Sequence, residues 1–228
     1  KLLEMKNKIY ICPSQASAKT YLDYGFNAKV IPFPLQTNNL IPKKIKQSQK
    51  GSINQNNDEL NIGIIGLICP SKGIHRALEA ISNSNNSKKI KVKLIGRVEN
   101  IAFKKYLLSN FHHLDISFTG YLRNEVLINK MMSLDLVLMS SPSEGLPLSY
   151  INAIQYRIPI IFTRQSGLST FLEDVGVYDY FNNDELINLI ETFSPKELLK
   201  AQKKLISKNY ISQQNYLNSY IDSIKSYL

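Results

Sequence analysis

Between residues 61 and 180, short apolar runs alternate with longer stretches in which apolar side chains recur every three or four positions. The runs at 61–66, 90–95, 116–119, 135–139 and 159–162 have the length of strands buried on both faces. Between them, 73–83, 99–109, 123–133 and 147–156 read as helices, followed by a short helix at 168–173 and a last strand near 175–180. Strict strand–helix alternation at this spacing predicts an α/β fold with a doubly wound, Rossmann-like parallel sheet. Ahead of it, a strand at 9–12, a helix at 14–24 stopped by Gly25 and a strand at 28–33 form a smaller unit. Residues 36–60 carry no period and are rich in Asn, Gln, Ser and Lys, the pattern of a linker or disordered loop. Helices at 183–193, 195–207 and 211–227 end the chain, the last with Leu217, Ile221, Ile224 and Leu228 on one stripe. The expected division is 1–35, linker 36–60, sheet domain 61–182 and closing helices 183–228.

The stretch 135–167 carries the densest chemistry. Leu136, Val137, Leu138 and Met139 form a strand closed by Ser140 and Ser141, and Pro147 suits the first turn of a helix carrying Leu148, Ile151 and Ile154. The intervening loop, SSPSEG, sets Glu144 and Gly145 where a strand ends and a helix begins, the place of the ligand crevice in open α/β sheets. A serine-hydrolase elbow is excluded: position 141 is serine where glycine is needed, and no histidine follows His113. A phosphate-binding P-loop is excluded too, because Lys72-Gly73 has the order reversed. Glu144 also has an ordinary reading, as a carboxylate favoured by a helix N-terminus. In the first strand–helix unit, Gly66 permits a tight turn while Ile74, Leu78 and Ile81 face the core. Backbone N–H groups and the Lys72 ammonium at that turn would equally hold a diphosphate.

Composition narrows the classes. With 228 residues, 43% of them hydrophobic, the chain can bury a full core. Its longest apolar runs fall well short of a membrane span, and Lys1-Leu2-Leu3-Glu4 does not resemble a signal peptide, so the expected address is cytoplasmic. The net charge of +10 raises nucleic-acid binding, but the 28 Lys and Arg are spread along the chain without zinc-finger, helix-turn-helix or RNP spacing. No nucleic-acid partner is therefore expected; a basic surface also suits a peripheral contact with an anionic membrane, or a plain solvated face. Cys12 and Cys69 read as small core residues, and three histidines without ligand spacing argue against a metal site.

SSPSEGLPLSYINAIQYRIPIIFT resembles the signature of glycosyltransferase family 4 and its GT-B relatives, the glycosyl transferases group 1. Glu144, Gly145, Leu146, Pro147, Leu148, Ala153 and Pro159 match; the second glutamate is Asn152, and the glycine before the proline is Arg157. GLICPSKG resembles the family's Gly-Arg-Leu-x-x-x-Lys-Gly, with Lys72 and Gly73 matched and the arginine replaced by Leu67. His75 and Arg76 are the nearest substitutes for it, though exposed helix positions are their ordinary reading. VKLIGRVEN and FTGYLRNEVL resemble the next two motifs, and QSGLSTFLED keeps Gly167 of a third. CPSQASAKTYLDYGFNAKVIPFPL resembles the end of the N-terminal, acceptor-binding domain, so 1–35 is expected to be a remnant of it.

What the resemblance implies is a retaining glycosyltransferase acting on a nucleotide-diphosphate sugar, without a metal cofactor, toward a glycan or lipid-linked acceptor. Glu144 would bind the transferred sugar and Lys72 the leaving diphosphate. Gly66, Gly73, Gly96, Ser143, Gly145 and Leu146 would shape the donor site, and Asn152 would take the ribose position. Tyr121 and Leu122 are the candidates beside the base, with ordinary loop packing as their other reading. The alternative implied by Leu67, Asn152 and Arg157 is a catalytically degenerate domain that binds a nucleotide sugar or a partner. The expected convergence is of Gly66, Gly96, Gly120, Glu144 and Gly167 at one edge of the sheet.

Overall fold

The computed structural model describes residues 8–32, 34, 59–85, 89–173, 175–208 and 213–225. Six parallel strands make the main sheet: β3 (Glu59–Ile65), β4 (Lys89–Ile95), β5 (Asp115–Gly120), β6 (Leu136–Leu138), β7 (Ile160–Thr163) and β8 (Val177–Tyr178). A separate parallel pair, β1 (Ile9–Cys12) and β2 (Asn27–Val30), is bridged by α1 (Gln15–Asp23). The helices of the main domain are α2 (Ile74–Asn83), α3 (Ile101–Asn110), α4 (Asn124–Met132), α5 (Leu148–Gln155) and α6 (Ser169–Leu172). After β8 come α7 (Asn183–Glu191), α8 (Pro195–Lys208) and α9 (Gln213–Lys225).

The strand order is β5-β4-β3-β6-β7-β8. The chain builds outward from β3 to β5, then returns to lay β6 against the other side of β3. Loops leaving β3 and β6 therefore diverge to opposite faces, and a crevice opens between them at the carboxyl ends. Alternation along the strands feeds two cores. Leu136 and Leu138 join Ile62, Ile64 and the apolar faces of α2, α3 and α7, whereas Val137 and Met139 join Ile160, Phe162 and those of α4, α5 and α6.

The expected alternation stands, with local shifts. β3 begins at Glu59, inside the expected linker, because Glu59 and Leu60 pair with Lys89 and Ile90; residues 36–58 of that linker lie outside the described residues. Lys72 ends a 3₁₀ turn, Pro70–Lys72, and Gly73 caps α2 in the left-handed region, so the helix proper starts one residue later than expected. Pro147 is the N-cap of α5 rather than a first-turn residue. On α9 the described members of the apolar stripe, Leu217, Ile221 and Ile224, are exposed, while Leu228 lies outside the described residues. No helix among the described residues is long and apolar enough to cross a membrane.

Candidate functional site

The site is built from the loops that follow β3 and β6. Lys72, at the end of its 3₁₀ turn, donates from Nζ to Glu144 Oε1, and Ser141 Oγ donates to the same carboxylate oxygen at 2.9 Å. Both loops are fixed from below. Ser140 Oγ donates to the Lys72 carbonyl at 2.9 Å, and Thr163 Oγ1 at the end of β7 donates to the Ser141 carbonyl at 2.7 Å. Gly73 meets this approach with φ of 64°, and a Cβ there would stand 2.0 Å from the Ser140 carbonyl oxygen. Its conformation and its contact both require glycine.

Two tyrosines lock the strand ends beneath the crevice. Tyr150 of α5 is buried; its hydroxyl donates to the Leu138 carbonyl at 3.1 Å and accepts the Ile65 N–H at 3.3 Å. Tyr178 donates to the Met139 carbonyl at 3.1 Å. Burial pushes both phenols well above the ordinary tyrosine range.

Above this floor lie two adjoining cavities. One, about 470 Å³, is lined by Lys72, Glu144, Ser140, Ser141 and the Pro147–Tyr150 start of α5. The other, about 600 Å³, is lined by Arg97, Tyr121, Leu122, Arg123, Leu127 and the ends of β3 and β4. Ile65, Gly66, Leu67 and Ser149 line both, so the compartments meet over the end of β3. The larger one has two arginines and no carboxylate in its wall. Such a crevice, cationic at one end and paired in charge at the other, accommodates an extended anionic ligand.

The residues singled out from the sequence fall into three groups. Lys72, Glu144, Gly66, Gly96, Tyr121 and Leu122 line the cavities. Gly73 supports Lys72 from within, and Gly145, Leu146 and Ser143 line neither cavity. Gly145 instead faces the small N-terminal unit: Ser14 Oγ donates to its carbonyl at 2.7 Å, and a Cβ would stand 2.5 Å from Ser17 Oγ. Gly167 belongs to the same contact, its N–H donating to the Glu144 carbonyl at 3.0 Å. Asn152 also lines neither cavity and sits about one helical turn behind Ser149.

His75 and Arg76 are not exposed and do not turn into the crevice. The His75 ring packs edge-on against Phe103, with centroids 6.1 Å apart. Arg76 lies 5.0 Å over the Tyr180 ring and donates to Asn183 Oδ1 at 3.4 Å. Arg157 is exposed just beyond the far end of α5, with φ of 61°. The left-handed conformation that a glycine would take is kept there by an arginine, and its charge suits a helix C-terminus. Arg97, Arg123 and Ser149 were not singled out by the sequence reading. For Arg97 a signal existed in its place directly after Gly96, the residue that follows β4.

Fold and site together define an open α/β protein with its ligand crevice at the topological switch point. Residues 45–218, more than half of the chain, match the family described as Glycosyl transferases group 1, and the chain belongs to that family. No curated protein matches the sequence. Among solved structures, the Anabaena protein HepE in complex with UDP and glucose is similar at 17% identity with a TM-score of 0.73, over 95% of this chain and 62% of that one. Sucrose-phosphate synthase from Thermosynechococcus elongatus gives 17% identity and a TM-score of 0.74, over 99% and 60%. The lipopolysaccharide outer core galactosyltransferase WaaB in its apo form gives 14% and 0.70, over 96% and 62%. These likenesses establish the GT-B glycosyltransferase fold, and the chain spans less than two thirds of the length of these neighbours.

Proposed function

We propose that this chain is the donor-binding part of a retaining hexosyltransferase that takes a nucleotide-diphosphate sugar and passes the sugar to a glycan or lipid-linked acceptor in polysaccharide biosynthesis. The observation that carries this reading is the Lys72–Glu144 pair across the crevice between β3 and β6. Family membership supplies the reaction class. HepE, whose structures hold UDP with glucose and UDP-glucose, supplies the class of donor.

In this scheme the base and ribose enter the larger cavity, and the diphosphate lies over the end of β3. Lys72 leaves Glu144 for the phosphates and neutralises the charge that develops on them as the glycosidic bond breaks. Glu144, released from Lys72 and oriented by Ser141, accepts hydrogen bonds from hydroxyls of the transferred sugar. Asn152 is the ribose candidate: helical side chains lean toward the N-terminus, which directs it toward Ser149 and the crevice. No divalent metal takes part. Residues 61–182 form the donor domain and 183–228 close it, while the unit around α1 belongs to the acceptor side, seated on Gly145 and Gly167. The positive surface fits peripheral attachment at the inner face of a membrane.

A second reading, a degenerate module that binds without catalysing, is favoured by Leu67 and by the setback of Asn152 from both cavities. Calorimetric titration of the chain with UDP, GDP and ADP tests the donor reading. A clear preference for one base, with a micromolar Kd, supports it. Silence across all three contradicts donor binding.

A further inference from the structure

We infer that Arg97 supplies the guanidinium for the donor's diphosphate in place of Leu67, a role that rests on the donor reading above. The register of the two strands carries the inference. β3 and β4 pair in step from Glu59↔Lys89 to Ile65↔Ile95, and the same step resumes at the bridge Ile68↔Val98, where the Ile68 N–H donates to the Arg97 carbonyl at 2.9 Å. Leu67 and Arg97 therefore hold corresponding positions just past the paired strands, between Ile65↔Ile95 and Ile68↔Val98, and both line the larger cavity. The two chain segments come close here: a Cβ on Gly96 would lie 1.7 Å from the Gly66 carbonyl oxygen. A side chain as long as arginine crosses one strand spacing, so a guanidinium on residue 97 reaches the space that one on residue 67 would occupy.

The other cations of the crevice are engaged. Lys72 pairs with Glu144, and the Arg123 guanidinium lies 5.1 Å over the Tyr121 ring. Arg97 is exposed and makes no side-chain hydrogen bond or ion pair among the described residues. No carboxylate lines its cavity. A planar guanidinium is suited to two parallel hydrogen bonds with phosphate oxygens, which Leu67 cannot make. The ligand chemistry this selects is a diphosphate ester rather than the base or the sugar.

The test compares wild type, Arg97→Gln, and Arg97→Gln combined with Leu67→Arg, each titrated calorimetrically with whichever of UDP, GDP or ADP the wild type binds best and with the matching nucleoside. Arg97→Gln is expected to weaken the nucleoside diphosphate about 10- to 100-fold and to leave the nucleoside within about twofold. Leu67→Arg is expected to restore most of that loss. Because Arg97 is exposed, the melting temperature should hold, which separates a binding effect from a folding one. Unchanged diphosphate affinity in Arg97→Gln, equal loss for both ligands, or no recovery with Leu67→Arg overturns the inference while the donor reading stands. A wild type that binds none of the three nucleotides overturns both.

Discussion

Glu144 and Lys72 are two residues whose meaning lies in their being together. Each satisfies the other, and Ser141 Oγ donates to the same carboxylate oxygen. Glu144→Gln should therefore leave nucleoside-diphosphate affinity unchanged or slightly stronger, since Lys72 loses a competitor, while cutting sugar transfer about 100-fold or more. Parallel calorimetry and turnover of a radiolabelled donor would show the split; equal loss in both would place Glu144 on the nucleotide. Gly73 is the residue on which Lys72 depends. Gly73→Ala imposes a left-handed backbone on alanine, about 1–2 kcal/mol, and drives a methyl into the Ser140 carbonyl, about 1–3 kcal/mol more. A melting temperature lowered by roughly 4–20 °C is expected, and an unchanged one would contradict the contact. Both residues were legible in the sequence because they keep the family's spacing. Arg97 was legible only as the residue after a matched glycine; the part inferred for it depends on a register between two strands that no local motif records.

At the scale of elements, the strands and most helices were legible because a strand buried on both faces is a continuous apolar run. What was not legible is how their ends are tied. The 3₁₀ turn at Pro70–Lys72 has no periodicity of its own, and nothing in the spacing of Tyr150 and Tyr178 says that their hydroxyls cap carbonyls at the end of β6. These ties give an alkaline signature. Both phenols are raised in the folded state, so the stability they contribute is complete below about pH 10, the unfolded tyrosine value, and is lost as pH rises beyond it. Urea titrations at pH 8 and pH 11 should show a loss that shrinks when both are replaced by phenylalanine, although the double variant starts less stable by roughly 1–3 kcal/mol. An identical pH dependence in the double variant would show that neither phenol titrates late.

The whole molecule is a sheet whose order, β5-β4-β3-β6-β7-β8, places its ligand crevice at the centre and its small N-terminal unit at the rim, through Ser14 and Ser17. Alternation of strands and helices announced the doubly wound class, but the strand order is a property of tertiary pairing and came only with the structure. So did the two-compartment shape of the crevice, which joins loops that are far apart in sequence. The central claim is that the crevice over the end of β3, within reach of Lys72, receives a diphosphate. The most direct test is the calorimetric affinity of wild type and Lys72→Ala for a nucleoside diphosphate and for its nucleoside. A charge that acts only on phosphate predicts a loss of about 10- to 100-fold for the diphosphate and less than about twofold for the nucleoside. Equal losses for the two ligands, or none for either, would contradict it.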